Sequence, residues 1–65
     1  MNSYSSRDII EMLEEEGWYY VNSAGDHWHF KHPKKSGKVT VTHPVKDIPG
    51  GTVQSILKQA GIKLK

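Results

Sequence analysis

Histidine is the residue type whose number and spacing in this sequence point most directly to chemistry. The chain has 65 residues and 4 histidines, and His27, His29 and His32 follow one another closely. An imidazole exchanges protons near neutral pH, as general acid-base catalysis requires. On a β-strand, His27 and His29 would point to the same side. The pair could then act as base and acid on one phosphodiester, share a metal ion, or only contribute to a polar surface. The spacing alone favours the polar surface.

A metal site would need ligands beyond these two histidines. The sequence contains no cysteine, and the segment from His27 to Lys31 contains no aspartate or glutamate. The segment from His27 to Lys31 therefore lacks the cysteine, aspartate and glutamate ligands that complete many zinc sites. We expect no metal and no other cofactor. A chain without cysteine forms no disulfide, which is typical of a cytoplasmic protein.

Lysines follow the histidines and give the later part of the chain a positive charge. The formal net charge is only +2, but the acidic residues other than Asp26 and Asp47 all lie from Asp8 to Glu16, before the first lysine. Cationic side chains beside a histidine pair would hold an RNA backbone through its phosphates. Lysines in loops are also common without a binding function. The candidates for phosphate contact are Lys31, Lys34, Lys35 and Lys38.

An N-terminal helix and three strands must position these residues. Ser5 and Asp8 have the spacing of a capping box, and the apolar residues that follow predict a helix over residues 6–16. Three segments rich in aromatic and β-branched residues come next, and turn-forming sequences separate them. They predict an antiparallel meander with strands at 18–23, 27–32 and 38–42.

The alternation of side chains in the second strand divides the sheet into two faces. Trp28 and Phe30 alternate with His27 and His29, so we assign both rings to the core and the histidines to a polar face. The first strand has no clear alternation, but Tyr19 is the candidate for a ring exposed to RNA.

A second amphipathic helix closes the chain. Apolar residues recur at i, i+3, i+4 and i+7 from Val53 to Ala60, and Gly61 follows as a C-cap. The predicted fold is α+β, in the order α-β-β-β-α, with both helices on one face of a three-stranded antiparallel sheet. Double-stranded-RNA-binding domains have this arrangement. We expect a single domain over residues 1–65 and no membrane-spanning segment.

Short motifs occur in a fixed order along nearly the whole chain. They are Glu15-Glu16-Gly17-Trp18, Gly25-Asp26-His27-Trp28-His29-Phe30-Lys31-His32-Pro33, Gly37-Lys38-Val39-Thr40-Val41, His43-Pro44, Asp47-Ile48-Pro49-Gly50-Gly51-Thr52-Val53 and Ile56-Leu57-Lys58-Gln59-Ala60-Gly61-Ile62. In this order and spacing they resemble the HicA family, also called YcfA-like, of toxins from bacterial toxin-antitoxin pairs.

The resemblance implies an mRNA interferase, an endoribonuclease that cleaves mRNA and is neutralised by a HicB-like protein antitoxin. The family's functional histidine follows a glycine and usually a serine at the start of the second strand, so it corresponds to His27. His29, on the same face of the strand, is a candidate for a second proton carrier. Asp26 stands where the serine is usual, so the serine's role is not carried over. An acid there would either interact with His27 or only form the turn.

Two other functions remain open at this point. The fold also serves RNA-binding modules without catalytic activity, and a domain that only binds its antitoxin would need no histidine chemistry. His43 is predicted to end the third strand with Pro44, although its side chain could reach the phosphate site.

Overall fold

The computed structural model describes residues 4–63, which form two helices and three strands. Residues 1–3 and 64–65 of the predicted domain lie outside this part. The order α-β-β-β-α confirms the predicted fold class, and the bounds of the first four elements lie within one residue of the prediction. Neither helix within residues 4–63 is long and apolar enough to cross a membrane. The elements are α1 (Ser6–Glu15), β1 (Tyr19–Ala24), β2 (His27–Lys31), β3 (Val39–Thr42) and α2 (Gly50–Ala60).

Helix α1 begins with the predicted capping box. The Ser5 hydroxyl accepts a hydrogen bond from the Asp8 backbone N–H, and the Asp8 carboxylate accepts one from the Ser5 backbone N–H, both at 3.1 Å. The helix ends before Gly17, which has a φ of +98°. A Cβ at this position would lie 2.8 Å from Nε2 of His32. Glycine is therefore required for the turn into β1 on both conformational and steric grounds.

The two hairpins produce an antiparallel sheet with strand order β1-β2-β3. Ala24 pairs with His27, so Gly25 and Asp26 form a two-residue turn. Gly25 has a φ of +62° while Asp26 keeps a negative φ, which is the pattern of a type II′ turn. Because β2 is the central strand, the histidines at its start have a neighbouring strand on each side.

Both helices pack on one face of the sheet, as predicted. Phe30, Val39 and Val41 project from that face and are at most 1 % exposed. Trp28 is half-buried and packs against the same cluster, which confirms its assignment to the core. The buried residues of the helices and loops that complete this core are Ile9, Leu13, Trp18, Ile48, Val53, Ile56, Leu57 and Ala60.

Candidate functional site

The candidate site is the sheet face opposite the helices, here called the open face. Residues paired across strands project to the same side, so the pairing defines the members of this face. Three cross-strand rows result: Ala24–His27–Thr42, Asn22–His29–Thr40 and Tyr19–Lys31.

A β-bulge in β1 decides which of its residues reach the open face. Tyr20 pairs with Phe30 on the helix side, but the next paired residue, Asn22, lies opposite His29. Val21 is therefore the extra residue, and it reverses the alternation of the strand from that point. The bulge explains why the first strand shows no clear alternation in the sequence. It also places Asn22 beside His29, which the sequence alone did not predict.

His27 lies at the turn end of the open face and is well exposed. Its side chain is 59 % exposed and that of Asp26 is 63 % exposed, and Nε2 of His27 lies 3.6 Å from Oδ1 of Asp26. This distance exceeds that of a hydrogen bond, and both groups are open to solvent. The backbone carbonyl of Asp26 accepts a hydrogen bond of 2.8 Å from the backbone N–H of His43. Asp26 thus belongs to the turn and ties it to the end of β3.

His29 is held more tightly than His27. Its Nδ1 lies 2.9 Å from Oγ1 of Thr40, and the ring is half-buried between Asn22 and Thr40 in the middle row. A threonine hydroxyl can donate to a neutral Nδ1 or accept from a protonated one. The contact therefore fixes the ring while Nε2 remains the nitrogen available for proton transfer.

His32 has a structural role at the end of α1. Nδ1 accepts a hydrogen bond of 3.0 Å from the backbone N–H of Lys34, and Nε2 lies 2.8 Å from the carbonyl oxygen of Glu16. The carbonyl can only accept, so the proton of the neutral ring is on Nε2. The ring also contacts Trp18 edge-on, with centroids 5.3 Å apart. Nε2 thus ties the end of α1 to the residue that follows β2, while Nδ1 holds the loop that leads to β3.

His43 lies on the side of the sheet that the helices cover, and the expectation that it could reach the phosphate site is wrong. Its Nδ1 is 2.6 Å from Oγ of the buried Ser6. Its ring contacts Trp28 edge-on, with centroids 4.6 Å apart. Trp28 points to the opposite side of β2 from His27, so His43 does not join the histidine pair.

Two of the four candidate lysines lie at the open face. Lys31 is exposed and pairs with Tyr19, which is 50 % exposed, as predicted for that ring. Lys38 is exposed and directly precedes Val39, the partner of Phe30, so the register of β3 extended by one residue places it across from Lys31. Cations and an exposed aromatic ring therefore occupy the end of the face away from His27.

The other two candidate lysines lie in the loop between β2 and β3. Lys34 is exposed, and its backbone N–H is bound to His32. The ammonium of Lys35 donates a hydrogen bond of 3.0 Å to the carbonyl oxygen of Ala60, at the end of α2. Lys35 is therefore engaged on the helix side, where its charge also complements the helix C-terminus.

The open face combines two imidazoles, hydroxyl and amide groups, and flanking cations. Within residues 4–63 no group of three or more histidine, aspartate or glutamate side chains lies close enough to hold a metal ion. The chemistry that these groups can support is proton transfer on an anionic substrate that spans the sheet.

The comparisons with known proteins decide the family. The family model described as the HicA toxin of bacterial toxin-antitoxin systems matches residues 6–62. The chain belongs to the HicA toxin family. A chain of the solved HicA3 and HicB3 toxin-antitoxin complex is 32 % identical to this HicA chain, with a TM-score of 0.76, and the match covers 94 % of this chain and 98 % of that one. The comparison with curated proteins gives no match.

The family match includes all the elements that build the open face. Residues 6–62 begin at the first residue of α1 and end just after α2. The toxin role in a toxin-antitoxin system therefore belongs to the same folded unit that carries His27 and His29.

Proposed function

We propose that this HicA toxin is an endoribonuclease that cleaves mRNA by proton transfer, with His27 as a catalytic residue. The observation that carries the proposal is the position of His27 on an uncovered, polar sheet face with a second imidazole two residues along the same strand. The helix side of the sheet is filled by the core, so RNA would reach the molecule on the open face.

The reaction that fits these groups is attack by the RNA's own 2′-hydroxyl. A base takes the proton of that hydroxyl, the 2′-oxygen bonds to the adjacent phosphorus, and the bond from phosphorus to the 5′-oxygen breaks. An acid supplies the proton that the leaving 5′-oxygen needs. The products are a 2′,3′-cyclic phosphate and a 5′-hydroxyl, and proton transfer suffices for every step.

His27 and His29 are suited to divide these two proton transfers. Successive residues on one face of a strand have Cα atoms about 6.6 to 6.8 Å apart, so both imidazoles can contact opposite sides of one phosphodiester. Thr40 holds Nδ1 of His29, and Nε2 can exchange its proton without rotation of the ring. Either histidine can take the role of base, with the other as acid.

Phosphate contacts would come from the cations that remain exposed. Lys31 and Lys38 flank the open face, and Lys34 lies in the adjoining loop. We expect these contacts to position the RNA with little dependence on sequence. Lys35 is bound to the Ala60 carbonyl and must leave that contact before it can bind phosphate.

The partner that we propose for this toxin is a HicB-like antitoxin. The solved relative was studied as a HicA3 and HicB3 toxin-antitoxin complex. An antitoxin that covers the open face would exclude RNA from both histidines, and acidic residues on its surface would complement Lys31 and Lys38.

A growth assay tests the toxin and partner roles together. Expression of the wild-type chain should arrest growth, and expression of His27→Ala should not. Co-expression of a HicB-like protein from the neighbouring reading frame should restore growth to the strain that expresses the wild-type chain.

In parallel, purified protein is incubated with mRNA in EDTA. Growth arrest without RNA cleavage would reject the ribonuclease and leave a binding role. Continued growth on wild-type expression would reject the toxin proposal itself.

A further inference from the structure

A groove between β3 and α2 adjoins the histidine rows on the side away from Tyr19. Its volume is about 650 Å³, which lies within the range of sites for small organic ligands. Thr40 and Thr42 form one wall. They are also the cross-strand partners of His29 and His27. A nucleotide whose phosphate contacts the two histidines therefore has this groove directly beside it.

The opposite wall of the groove comes from one side of α2. Thr52, Ser55 and Gln59 line it, and their spacing of three and four residues brings them to the same side of a helix. All three are exposed. This side of α2 is distinct from the one buried in the core, so its hydrogen-bonding groups remain available to a ligand.

The chemistry of the lining fits a nucleobase better than a phosphate. Hydroxyl and amide groups donate and accept hydrogen bonds without carrying charge, and the described residues that line the groove include no lysine, arginine or acid. The apolar residues Val45, Ile48, Pro49 and Ile56 also line the groove, together with Gly51, and the half-buried Val45 and exposed Pro49 offer a surface for the faces of a base. Single-stranded RNA is recognised in this way, through unstacked bases whose edges are hydrogen-bonded.

We infer that this groove binds the base next to the cleaved phosphate and thereby sets the sequence preference of cleavage, with Gln59 as the principal reading residue. A glutamine amide can donate to and accept from one base edge at the same time. The inference rests on the proposed ribonuclease function. In this arrangement Lys31 and Lys38 contact phosphates of the RNA, and α2 contacts a base.

The test uses the His27→Ala protein, which is expected to bind RNA without cutting it. The protein is mixed with a pool of RNA octamers of random sequence, and the bound fraction is sequenced. One base should be enriched about fivefold or more at one position, as one well-formed base contact provides. Adding Gln59→Ala should reduce this enrichment to less than about twofold. Adding Gln54→Ala, on another side of α2, should leave it unchanged.

The possible outcomes separate this inference from the ribonuclease proposal. The base-binding groove is overturned if enrichment is the same in the His27→Ala protein and in the protein that also carries Gln59→Ala. It is also overturned if no position is enriched while Gln59 is present. If Gln59→Ala instead weakens capture of the HicB-like antitoxin and leaves the RNA pool unchanged, the groove is a protein contact and the inference is wrong. Enrichment that depends on Gln59 supports base binding in the groove. Failure of the wild-type protein to cleave RNA would reject only the ribonuclease proposal. Thermal unfolding of each variant checks that the fold is retained.

Discussion

His27 and His29 lie on the same strand and the same face, but their surroundings differ. His27 is exposed beside the turn, with a carboxylate oxygen of Asp26 at 3.6 Å. His29 is half-buried and held through Nδ1 by a neutral hydroxyl. The first ring is free to adjust to a substrate, while the second has a fixed orientation. Substitutions at the two sites should therefore have different effects.

Replacement of the exposed imidazole should abolish most activity without affecting the fold. We expect His27→Ala to lower the rate of RNA cleavage by about a hundred- to ten-thousand-fold, the usual effect of losing a proton-transfer group. Its free energy of unfolding should change by less than about 0.5 kcal/mol, as at other exposed positions. Single-turnover cleavage and urea unfolding measure the two quantities. Undiminished cleavage would reject the assignment of His27.

The hydroxyl of Thr40 should affect catalysis through the orientation of His29. In Thr40→Val the shape is kept and the contact to Nδ1 is lost. We expect NMR spectra of the imidazole nitrogens to show one dominant tautomer of His29 in the wild type and a mixture in the variant, together with a lower kcat. Thr42→Val, on the same strand and face, is the matched control for the His29 spectrum. An unchanged His29 tautomer in Thr40→Val would show that the hydroxyl does not position the ring.

At the scale of elements, the turn after α1 depends on the contact of His32 with the carbonyl oxygen of Glu16, which lies 16 positions earlier in the chain. Gly17 and Gly25 both have positive φ, but only Gly17 faces another side chain, with a Cβ position 2.8 Å from Nε2 of His32. Gly25→Ala should cost about 1–3 kcal/mol of unfolding free energy because of its backbone conformation alone. Gly17→Ala should cost more, because the His32 ring must also give up hydrogen bonds worth about 0.5–1.5 kcal/mol each.

Urea unfolding of the two alanine variants measures this difference. In a His32→Ala background, the Gly17→Ala loss should become smaller because the obstructing ring is gone, while the Gly25→Ala loss should stay the same. An unchanged Gly17→Ala loss would mean that His32 moves aside without cost, and that its two hydrogen bonds contribute little to the fold.

Most of the helices, strands and turns could be predicted from the sequence, because the signals for them are local. The capping box, the glycines after each helix and the alternation of Trp28 and Phe30 with the histidines all involve neighbours in the chain. The bulge at Val21 could not be predicted, since no glycine or proline marks it and only the pairing with β2 shows it. The position of Asn22 beside His29 follows from that bulge and could not be predicted for the same reason.

At the scale of the whole molecule, most acidic side chains are concentrated in and just after α1, while cations lie on both layers. The acidic residues of α1 are exposed on the helix layer, whereas Lys31 and Lys38 lie at the open face. The concentration of acids near the N-terminus and of lysines after residue 30 predicted a polarised molecule. The contact of Lys35 with the Ala60 carbonyl joins residues 25 positions apart, and no local pattern in the sequence indicates it.

Salt dependence of RNA binding should report which cations contact the RNA. Lys31→Ala and Lys38→Ala should each reduce the slope of log K against log salt concentration by about 0.7, the contribution of one phosphate contact on single-stranded RNA. Lys58→Ala makes the same change of charge in the last turn of α2 and should leave the slope unchanged. Titration of labelled RNA at several salt concentrations gives these slopes. An equal effect of all three variants would mean that RNA does not bind preferentially to the open face.

The proposed reaction of this HicA chain is RNA cleavage by proton transfer to and from its own histidines. The most direct test is to incubate purified protein with RNA in EDTA and determine the chemical ends of the fragments. We predict fragments with 2′,3′-cyclic phosphate and 5′-hydroxyl ends, which His27→Ala does not produce at a comparable rate. Intact RNA, fragments with 5′-phosphate ends, or equal cleavage by His27→Ala would contradict the claim.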